Sequence, residues 1–310
     1  MIYKQLVCLQ VIKLKSNIKP TDALALLFIG TLWGINWPAV KFLLTSIEPL
    51  TMRAISFTAA AFMLAIIARL LNQSLHLPKS EALPTLLTGL FLIFGFNGLT
   101  TFGQLIVEAS KATIIAYTMP SFTAILAAVY LRERIKFNVV VGLIISMFGL
   151  SILALEGVSS SISNPTGPIL MLLAALSWAI ANVGLKSREW ALKPLPLTMW
   201  FFIFSSLAIW PLVFIFEPIT TQTWPNKMAI WVLLFHILGP MITCYIVWSF
   251  LVAKLPTTTT TISILIAPVV GVMSSAWLLE EALNWQKFIA LVAIVLSISF
   301  VTLTSGSKAK

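Results

Sequence analysis

Long apolar runs separated by single charges or short charged segments dominate this chain. Ten stretches contain no Asp, Glu, Lys or Arg, and nine of them reach the roughly 17 to 25 residues that a membrane-spanning helix needs. The ten stretches are 23–40, 54–68, 82–107, 112–131, 137–155, 157–185, 194–216, 228–253, 255–279 and 288–307. The short stretch, 54–68, becomes long enough if Thr51–Arg53 and Arg69 lie at the interfaces. The pattern predicts an all-α integral membrane protein with ten transmembrane helices.

The composition supports a lipid environment for most of the chain. Hydrophobic residues make up 59% of the 310 residues and charged residues only 10%, with a mean hydropathy of +1.00. A soluble domain carries about 25% charged residues, which it needs to cover its surface. The lipid bilayer is therefore the predicted surrounding medium, and no room remains for a folded aqueous domain.

The basic excess, a net charge of +10, follows membrane topology rather than a nucleic-acid partner. Cytoplasmic loops of membrane proteins are enriched in Lys and Arg. With the N-terminus inside, fifteen of the twenty basic residues fall in inside segments, and the five outside are Lys41, Arg53, Lys111, Lys227 and Lys287. This distribution predicts a multi-pass protein of the bacterial inner membrane with both termini in the cytoplasm.

The reactive residues are too few and too scattered for most kinds of chemistry. Cys8 and Cys244 are the two cysteines, one in the N-terminal tail and one within a span, so neither a disulfide nor a metal site is expected. The two histidines, the single aspartate and the peripheral glutamates supply no acid pair or nucleophile with its base. We therefore predict no enzyme activity, no metal and no cofactor, and keep an intramembrane enzyme as the alternative from another class.

The chain repeats itself. The segment Trp33–Lys41 is similar to Trp178–Lys186, 145 residues later, and Pro120 with the following Leu131-Arg132-Glu133 is similar to Pro268 with Leu279-Glu280-Glu281, 148 residues later. The predicted organisation is a cytoplasmic tail at 1–20, a first repeat at 21–156, a linker at 157–167, a second repeat at 168–305 and a cytoplasmic tail at 306–310. The Ser, Gly, Pro and Asn content of 157–167 is typical of a loop.

Each repeat holds five helices, and five is an odd number. The second repeat therefore enters the membrane from the opposite side, which makes the two repeats inverted. In secondary transporters, inverted repeats meet at a substrate site near the bilayer midplane, and one bundle moves against the other. This architecture favours a transporter that works by alternating access over a channel, a scaffold or an enzyme.

At these residues the chain resembles the EamA family of the drug/metabolite transporter superfamily. The resemblance rests on the first-helix Trp33-Gly34-x-Asn36 segment with Lys41, the proline followed by a Leu-x-Glu end, the tandem repeat, and Tyr245 and Trp248 before Pro268. It covers about residues 22–305. It implies ten helices in two inverted repeats and export of amino acids or other small metabolites, often coupled to protons. A sugar-phosphate, nucleotide-sugar or drug carrier of the same superfamily is the alternative.

The sequence departs from the family pattern at two places. Glu280-Glu281 stands where the family often has Gly-Glu, and Ala181 stands where the first repeat has Asn36. The second departure argues against identical substrate contacts in the two halves.

Polar and amphipathic side chains within the spans are the candidate substrate ligands. Amides and indoles there bind a substrate's ammonium, carboxylate or amide group, or else join neighbouring helices. The candidates are Trp33, Asn36, Asn97, Gln104, Asn182, Tyr245 and Trp248. Pro120 and Pro268 occupy matching positions in the two repeats, where a kink would free carbonyl groups to line a cavity; their alternative is a packing role.

Three ionisable residues complete the candidates. Lys41 and Lys186 occupy equivalent positions at opposite faces, either as gate or vestibule residues or as lysines that reach the interface. His236 lies within a span and is a candidate for proton coupling, with a hydrogen-bonded neutral histidine as the alternative. The mid-span regions contain no Lys or Arg, which favours zwitterionic or neutral substrates over dianionic sugar phosphates.

Overall fold

The computed structural model describes residues 20–132, 137–159, 165–217, 225–254 and 257–303, and the elements in these ranges are all helical. The first half contains α1 (Pro20–Leu43), α2 (Pro49–Leu70), α3 (Lys79–Gly89), a π-helical segment π1 (Leu90–Gly95), α4 (Phe96–Ile106), α5 (Ala109–Ala116), α6 (Met119–Tyr130) and α7 (Phe137–Ser159). The second half contains α8 (Thr166–Lys186), α9 (Pro194–Phe216), α10 (Lys227–His236), π2 (Ile237–Thr243), α11 (Cys244–Lys254), α12 (Thr257–Leu278) and α13 (Trp285–Leu303).

The predicted fold class is confirmed by these helices. Seven helical runs in the described ranges are long and apolar enough to cross a membrane, and three shorter apolar runs lie at Phe137–Leu153, Ile266–Leu278 and Trp285–Phe300. Together they account for ten spans. The third span combines α3, π1 and α4, the fourth α5 and α6, and the eighth α10, π2 and α11.

The π-helical segments reveal the repeat in the backbone itself. They begin at Leu90 and Ile237, 147 residues apart, in the third span of each half. A π-helical turn inserts an extra residue into a helix and is frequent at functional sites. Since both halves carry the insertion at one depth, it belongs to the repeated architecture.

Packing between the halves follows the same symmetry. The first span, α1, packs mainly on α12, while its counterpart α8 packs on α5 and α6 and also extensively on α4. The second spans of the two halves, α2 and α9, pack on each other, as do the fifth spans, α7 and α13. The two repeats are therefore interleaved, and a site between α1, α2, α4 and α10 has walls from both.

The ends of the predicted linker are helical rather than looped. The fifth span continues to Ser159 and α8 begins at Thr166, so residues 157–159 and 166–167 belong to the two helices. Glycine is more frequent in membrane-spanning helices than in soluble ones, so the glycines at these ends do not by themselves require a loop. Residues 160–164, the tails at 1–19 and 304–310, Cys8 and Glu133 lie outside the described residues.

The departure at Glu280 has a conformational cost. Glu280 has a φ of 56°, and Arg132, its equivalent 148 residues earlier, has a φ of 55°. Both residues follow the C-terminus of a helix, where the chain often turns away through one residue in the left-handed conformation. Glycine is favoured in that conformation because it has no Cβ. The glycine that the family often has at this position suits that conformation.

Replacing Glu280 with glycine should therefore stabilise the protein. A non-glycine residue in the left-handed region costs roughly 1–2 kcal/mol, and the greater freedom of glycine in the unfolded chain offsets about half of that gain. We expect Glu280→Gly to raise the free energy of unfolding by about 0.5–1 kcal/mol, measured as a higher melting temperature in detergent. Glu280→Ala removes the same charge and keeps the Cβ. An equal gain from both variants would show that charge, not conformation, is responsible.

Candidate functional site

Residues from four helices form one hydrogen-bonded group, buried except for the partly buried Asn36. It is here called the polar cluster (Asn36, Arg53, Asn97, Thr101 and His236). Arg53 donates from Nε to Thr101 Oγ1 at 2.6 Å and approaches His236 Nε2 from Nη1 at 3.2 Å. His236 Nδ1 lies 2.6 Å from Asn36 Oδ1, and Thr101 Oγ1 donates to the Asn97 carbonyl at 2.7 Å. The cluster connects α1, α2 and α4 of the first repeat to α10 of the second.

The hydrogen bonds assign the state of His236. A guanidinium group can only donate, so Nε2 is the acceptor and is unprotonated. The proton therefore resides on Nδ1, which donates to Asn36 Oδ1. While Arg53 holds this position, a second proton on Nε2 would face another donor. Proton coupling through His236 stays a prediction, and it requires Arg53 to move away first.

Arg53 is the residue that sequence reasoning misplaces. The hydropathy pattern puts its side chain at the interface, yet only 2% of it is exposed. The helix begins at Pro49, at the first helical position that proline favours, so Arg53 lies one turn inside the span. That proline is the signal in the sequence. Arg53 lies outside the uncharged stretch 54–68, but its guanidinium is buried in the helix bundle and contacts His236, which lies within another span.

An aromatic cluster (Trp33, Tyr245 and Trp248) adjoins the polar cluster. The Trp33 ring lies 6.0 Å from Tyr245 and 5.7 Å from Trp248, both edge to face. The hydroxyl of Tyr245 hydrogen-bonds the Asn97 side chain, which joins the two clusters. Trp33 and Trp248 are only partly buried, so ring surface remains for a further contact.

The structure thus brings together five of the seven candidate ligands and leaves two apart. Trp33, Asn36, Asn97, Tyr245 and Trp248 belong to the two clusters. Gln104 is buried, and its Oε1 has no hydrogen-bond partner among the described residues. Asn182 donates back to the Trp178 carbonyl of its own helix at 2.9 Å. No hydrogen bond or ring contact within the described ranges joins Gln104 or Asn182 to the clusters.

The two matching prolines have different surroundings. The fourth span is interrupted after Ala116 and resumes at Met119, so Pro120 lies in the first turn of α6. The ninth span continues through Pro268 without a break in α12. A cavity-shaping role for either proline stays a prediction.

The two matching lysines also differ. Lys41 donates to the backbone carbonyls of Gln104 and, at 2.9 Å, of Val107, which places a cation at the carbonyl end of α4. Lys186 is exposed. Within the described ranges, the repeated lysine therefore hydrogen-bonds another helix only in the first half.

Removing the Lys41 ammonium should destabilise the protein, whereas the same change at Lys186 should not. Hydrogen bonds from a charged group contribute about 1.5–3 kcal/mol, so we expect Lys41→Met to cost about that much in thermal unfolding. Lys186→Met is the matched control and should stay within about 0.5 kcal/mol of the wild type. Equal losses from both variants would contradict a capping role for Lys41.

A groove of about 530 Å³ lies away from both clusters, between the third and sixth spans. Its lining is almost entirely apolar and includes Leu87, Phe91, Phe94, Leu173 and Ile180. Several of these side chains are exposed on the outside of the helix bundle. Its composition suits hydrocarbon, so the polar cluster remains the candidate site.

The EamA-like transporter family model matches the chain twice, over residues 20–155 and 165–303. The chain belongs to the EamA-like transporter family. The two matches cover nearly all of the described helices. This result confirms the resemblance based on the first-helix motif and the repeated proline.

Two curated relatives of this family member are a transporter and an efflux pump by name. It is 25% identical over 286 residues to the uncharacterized transporter YoaV of Bacillus subtilis, covering 92% of this chain and 98% of that one. It is 26% identical over 287 residues to a probable amino-acid metabolite efflux pump of Escherichia coli, covering 88% and 92%. These names and the family indicate a transporter rather than an enzyme.

A solved crystal structure has the same fold. It matches with a TM-score of 0.66 at 18% identity and covers 93% of this chain and 99% of that chain. At that identity the likeness concerns the fold alone. This EamA-like chain is thus a multi-pass membrane protein, with a bilayer as its surroundings and a small molecule as its plausible cargo.

Proposed function

We propose that this EamA-like protein is a secondary active transporter that exports amino acids or similar small metabolites by alternating access. It would lie in a bacterial inner membrane with both termini in the cytoplasm, as the distribution of basic residues favours. The observation that carries the proposal is the polar cluster, because its hydrogen bonds cross from the first repeat to the second.

The depth of the cluster supports a substrate site. His236 is the tenth residue of α10, about 14 Å along the helix axis from its start, which is close to the middle of a bilayer core about 30 Å thick. Transporters with inverted repeats place their substrate sites at this depth, near interrupted helices. Here π2 begins directly after His236.

The cargo class rests on chemistry and on the relatives. Amide, hydroxyl and guanidinium groups beside indole rings suit a small zwitterion with an apolar side chain. The efflux-pump name of the Escherichia coli relative agrees with that class. A sugar phosphate is a less suitable cargo because Arg53 is the single permanent cation of the polar cluster.

A metabolite profile of the growth medium tests the proposal. Cells that overproduce the wild type are compared with cells that carry Trp33→Ala/Asn36→Ala at equal membrane levels. We expect specific amino acids to accumulate outside only with the wild type, and at least about tenfold less with the variant, since each lost contact is worth on the order of 1 kcal/mol. Trp277→Ala is the control because that indole is 81% exposed.

Two outcomes separate the function from the site. A wild-type profile identical to that of the empty vector would contradict export of common metabolites. Equal export by the wild type and the double variant would leave the function standing and remove Trp33 and Asn36 from the site. Loss of export in Trp277→Ala as well would point to a general packing effect.

A further inference from the structure

We infer that Arg53 is the receptor for a substrate carboxylate, and that His236 occupies the receptor when no substrate is bound. The inference rests on the proposed function and deepens it, since it assigns the chemical group that the site recognises. It also assigns opposite roles to Arg53 and His236. Loss of Arg53 should weaken carboxylate binding, and loss of His236 should strengthen it.

The first step is the charge of Arg53. The guanidinium is buried, and no carboxylate among the described residues lies within ion-pair distance of it. A buried charge without a counter-ion is costly, and ionisable groups within a membrane span are rare and usually functional. The polar cluster thus keeps a permanent cation among neutral partners, which is the electrostatic requirement for an anion site.

The second step is unused donor capacity. Arginine has five N–H donors, and Arg53 uses Nε for Thr101 and one Nη1 donor for His236. The remaining N–H groups make no hydrogen bond to the described residues. Nη1 and Nη2 form the planar edge that binds a carboxylate through two parallel hydrogen bonds. The bond to Thr101 fixes the guanidinium from the other side, so this edge stays oriented.

The third step is the weakness of the contact that an anion would replace. The Arg53–His236 separation is 3.2 Å, against 2.6 Å for Arg53–Thr101. Asn36 holds the other ring nitrogen of His236 at 2.6 Å, so the imidazole keeps a partner after Arg53 turns to the anion. The imidazole is a neutral acceptor that takes one hydrogen bond, whereas a carboxylate carries a negative charge and can take two parallel hydrogen bonds from a guanidinium. His236 is therefore a displaceable partner.

The fourth step is the asymmetry of the two repeats. Both α2 and α9 begin at a proline, and the fourth residue after it is Arg53 in one helix and Thr198 in the other. The residue before the π-helical segment is His236 in one half and Gly89 in the other. The fold is thus built twice, but the cation and its acceptor occur once. The fold does not require them, which favours a role in recognition.

The experiment measures binding by the purified full-length protein in detergent. The probes are the twenty standard L-amino acids and the carboxamide of each, which keeps the ammonium and the side chain but removes the carboxylate. Ligand affinity is read from the concentration dependence of the melting temperature. We expect at least one acid to bind the wild type about 10- to 100-fold more tightly than its amide, because hydrogen bonds between charged groups have this strength.

The variants separate recognition from packing. Arg53→Gln should abolish the preference for the acid, and Arg53→Lys should keep the preference with lower affinity. Arg69→Gln, an exposed arginine on the same helix, should behave as the wild type. His236→Leu should bind the acid several-fold more tightly, since the competing acceptor is gone, and should leave the affinity for the amide unchanged. Each shift is measured against the melting temperature of the same variant without ligand.

Several results would overturn the inference. They are an absence of acid preference in the wild type, a preference that survives in Arg53→Gln, and weaker acid binding by His236→Leu. Should Arg53→Gln not fold, His236→Leu still decides, because a merely structural cluster predicts weaker acid binding where carboxylate recognition predicts tighter binding. Arg53→Lys adds a second test, since only recognition of the carboxylate predicts that the preference for the acid over the amide survives. If the wild type exports amino acids but shows no preference for acid over amide that depends on Arg53, the proposed function stands and the carboxylate site does not. If the preference for acid over amide depends on Arg53 but no transport is detected, the carboxylate site stands and the proposed function does not.

Discussion

Replacing Gly34 with alanine should destabilise the protein by about 1–3 kcal/mol, the usual cost of overpacking, and leucine at this position should leave little folded material. A Cβ at Gly34 would lie 2.6 Å from Val270 Cβ and 2.9 Å from the Ala267 carbonyl oxygen. The Ala267 oxygen is part of the α12 backbone and Val270 Cβ is bonded directly to it, so rotation of a side chain cannot relieve the contact. The crossing of α1 and α12 joins the two repeats, and glycine permits its close approach.

Gly98 offers the matched control. A Cβ at Gly98 would meet no atom within 4 Å outside its own local helix, so Gly98→Ala should fold as the wild type does. The measurement is the monodisperse fraction after size-exclusion chromatography, together with the melting temperature in detergent. A Gly34→Ala protein with wild-type yield and melting temperature would show that α1 and α12 separate at no cost, which contradicts a fixed contact.

The spans and the repeat are accessible from the sequence because both leave marks in composition. Charges within a lipid-exposed helix are costly, so nine uncharged stretches locate nine spans, and the tenth follows once Thr51–Arg53 and Arg69 are added to 54–68. The Trp33–Lys41 motif recurs because both halves need the same first span. The close approach of Gly34 to α12 explains why that motif contains a glycine.

The centre of the site is not accessible from the sequence, for an equally physical reason. A charge that lies one turn inside a helix has the same hydropathy as a charge at the interface, so hydropathy assigns Arg53 to the interface. Pro49 marks where α2 begins, but it does not show which side chains Arg53 meets. Which side chains meet depends on helix rotation and crossing, which hydropathy does not determine. His236 and Asn36 stand out as polar residues within spans, but their contact with Arg53 depends on the packed bundle. The π-helical segments likewise have no distinct composition.

Loss of two carboxylates from the second repeat should also have a large effect. Glu217 accepts from the backbone amides of Leu50 and Thr51 at 2.9 and 2.7 Å, and Glu281 accepts from those of Ala109 and Ser110 at 2.7 and 2.9 Å. Each carboxylate thus caps the start of a first-repeat helix, where unpaired amides and the helix dipole favour negative charge. We expect Glu217→Ala and Glu281→Ala to cost about 1.5–3 kcal/mol each in thermal unfolding.

The effects should add in the double variant, because the two carboxylates accept from the amides of separate helices. Glu48→Ala is the control, since Glu48 precedes α2 but is exposed and makes no side-chain cap bond. If Glu48→Ala costs as much as Glu217→Ala, general negative charge near α2, rather than the observed hydrogen bonds, accounts for the effect. A double variant no less stable than either single one would show that the two caps open together.

The position of these caps links stability to transport. The helices α2 and α5 both begin at the face where α1 ends, so both carboxylates hold the second repeat to the first at that one face. At the opposite face, Arg188 pairs with Glu81 at 3.0 Å. Opening at one face requires breaking the contacts at that face alone.

The double Glu217→Gln/Glu281→Gln variant should therefore favour opening beside α2 and α5. Thiol labelling of a cysteine introduced by Thr51→Cys measures this opening. We expect faster labelling in the double variant than in the Thr51→Cys protein that keeps both glutamates. Unchanged labelling would assign the caps to folding and not to the transport cycle.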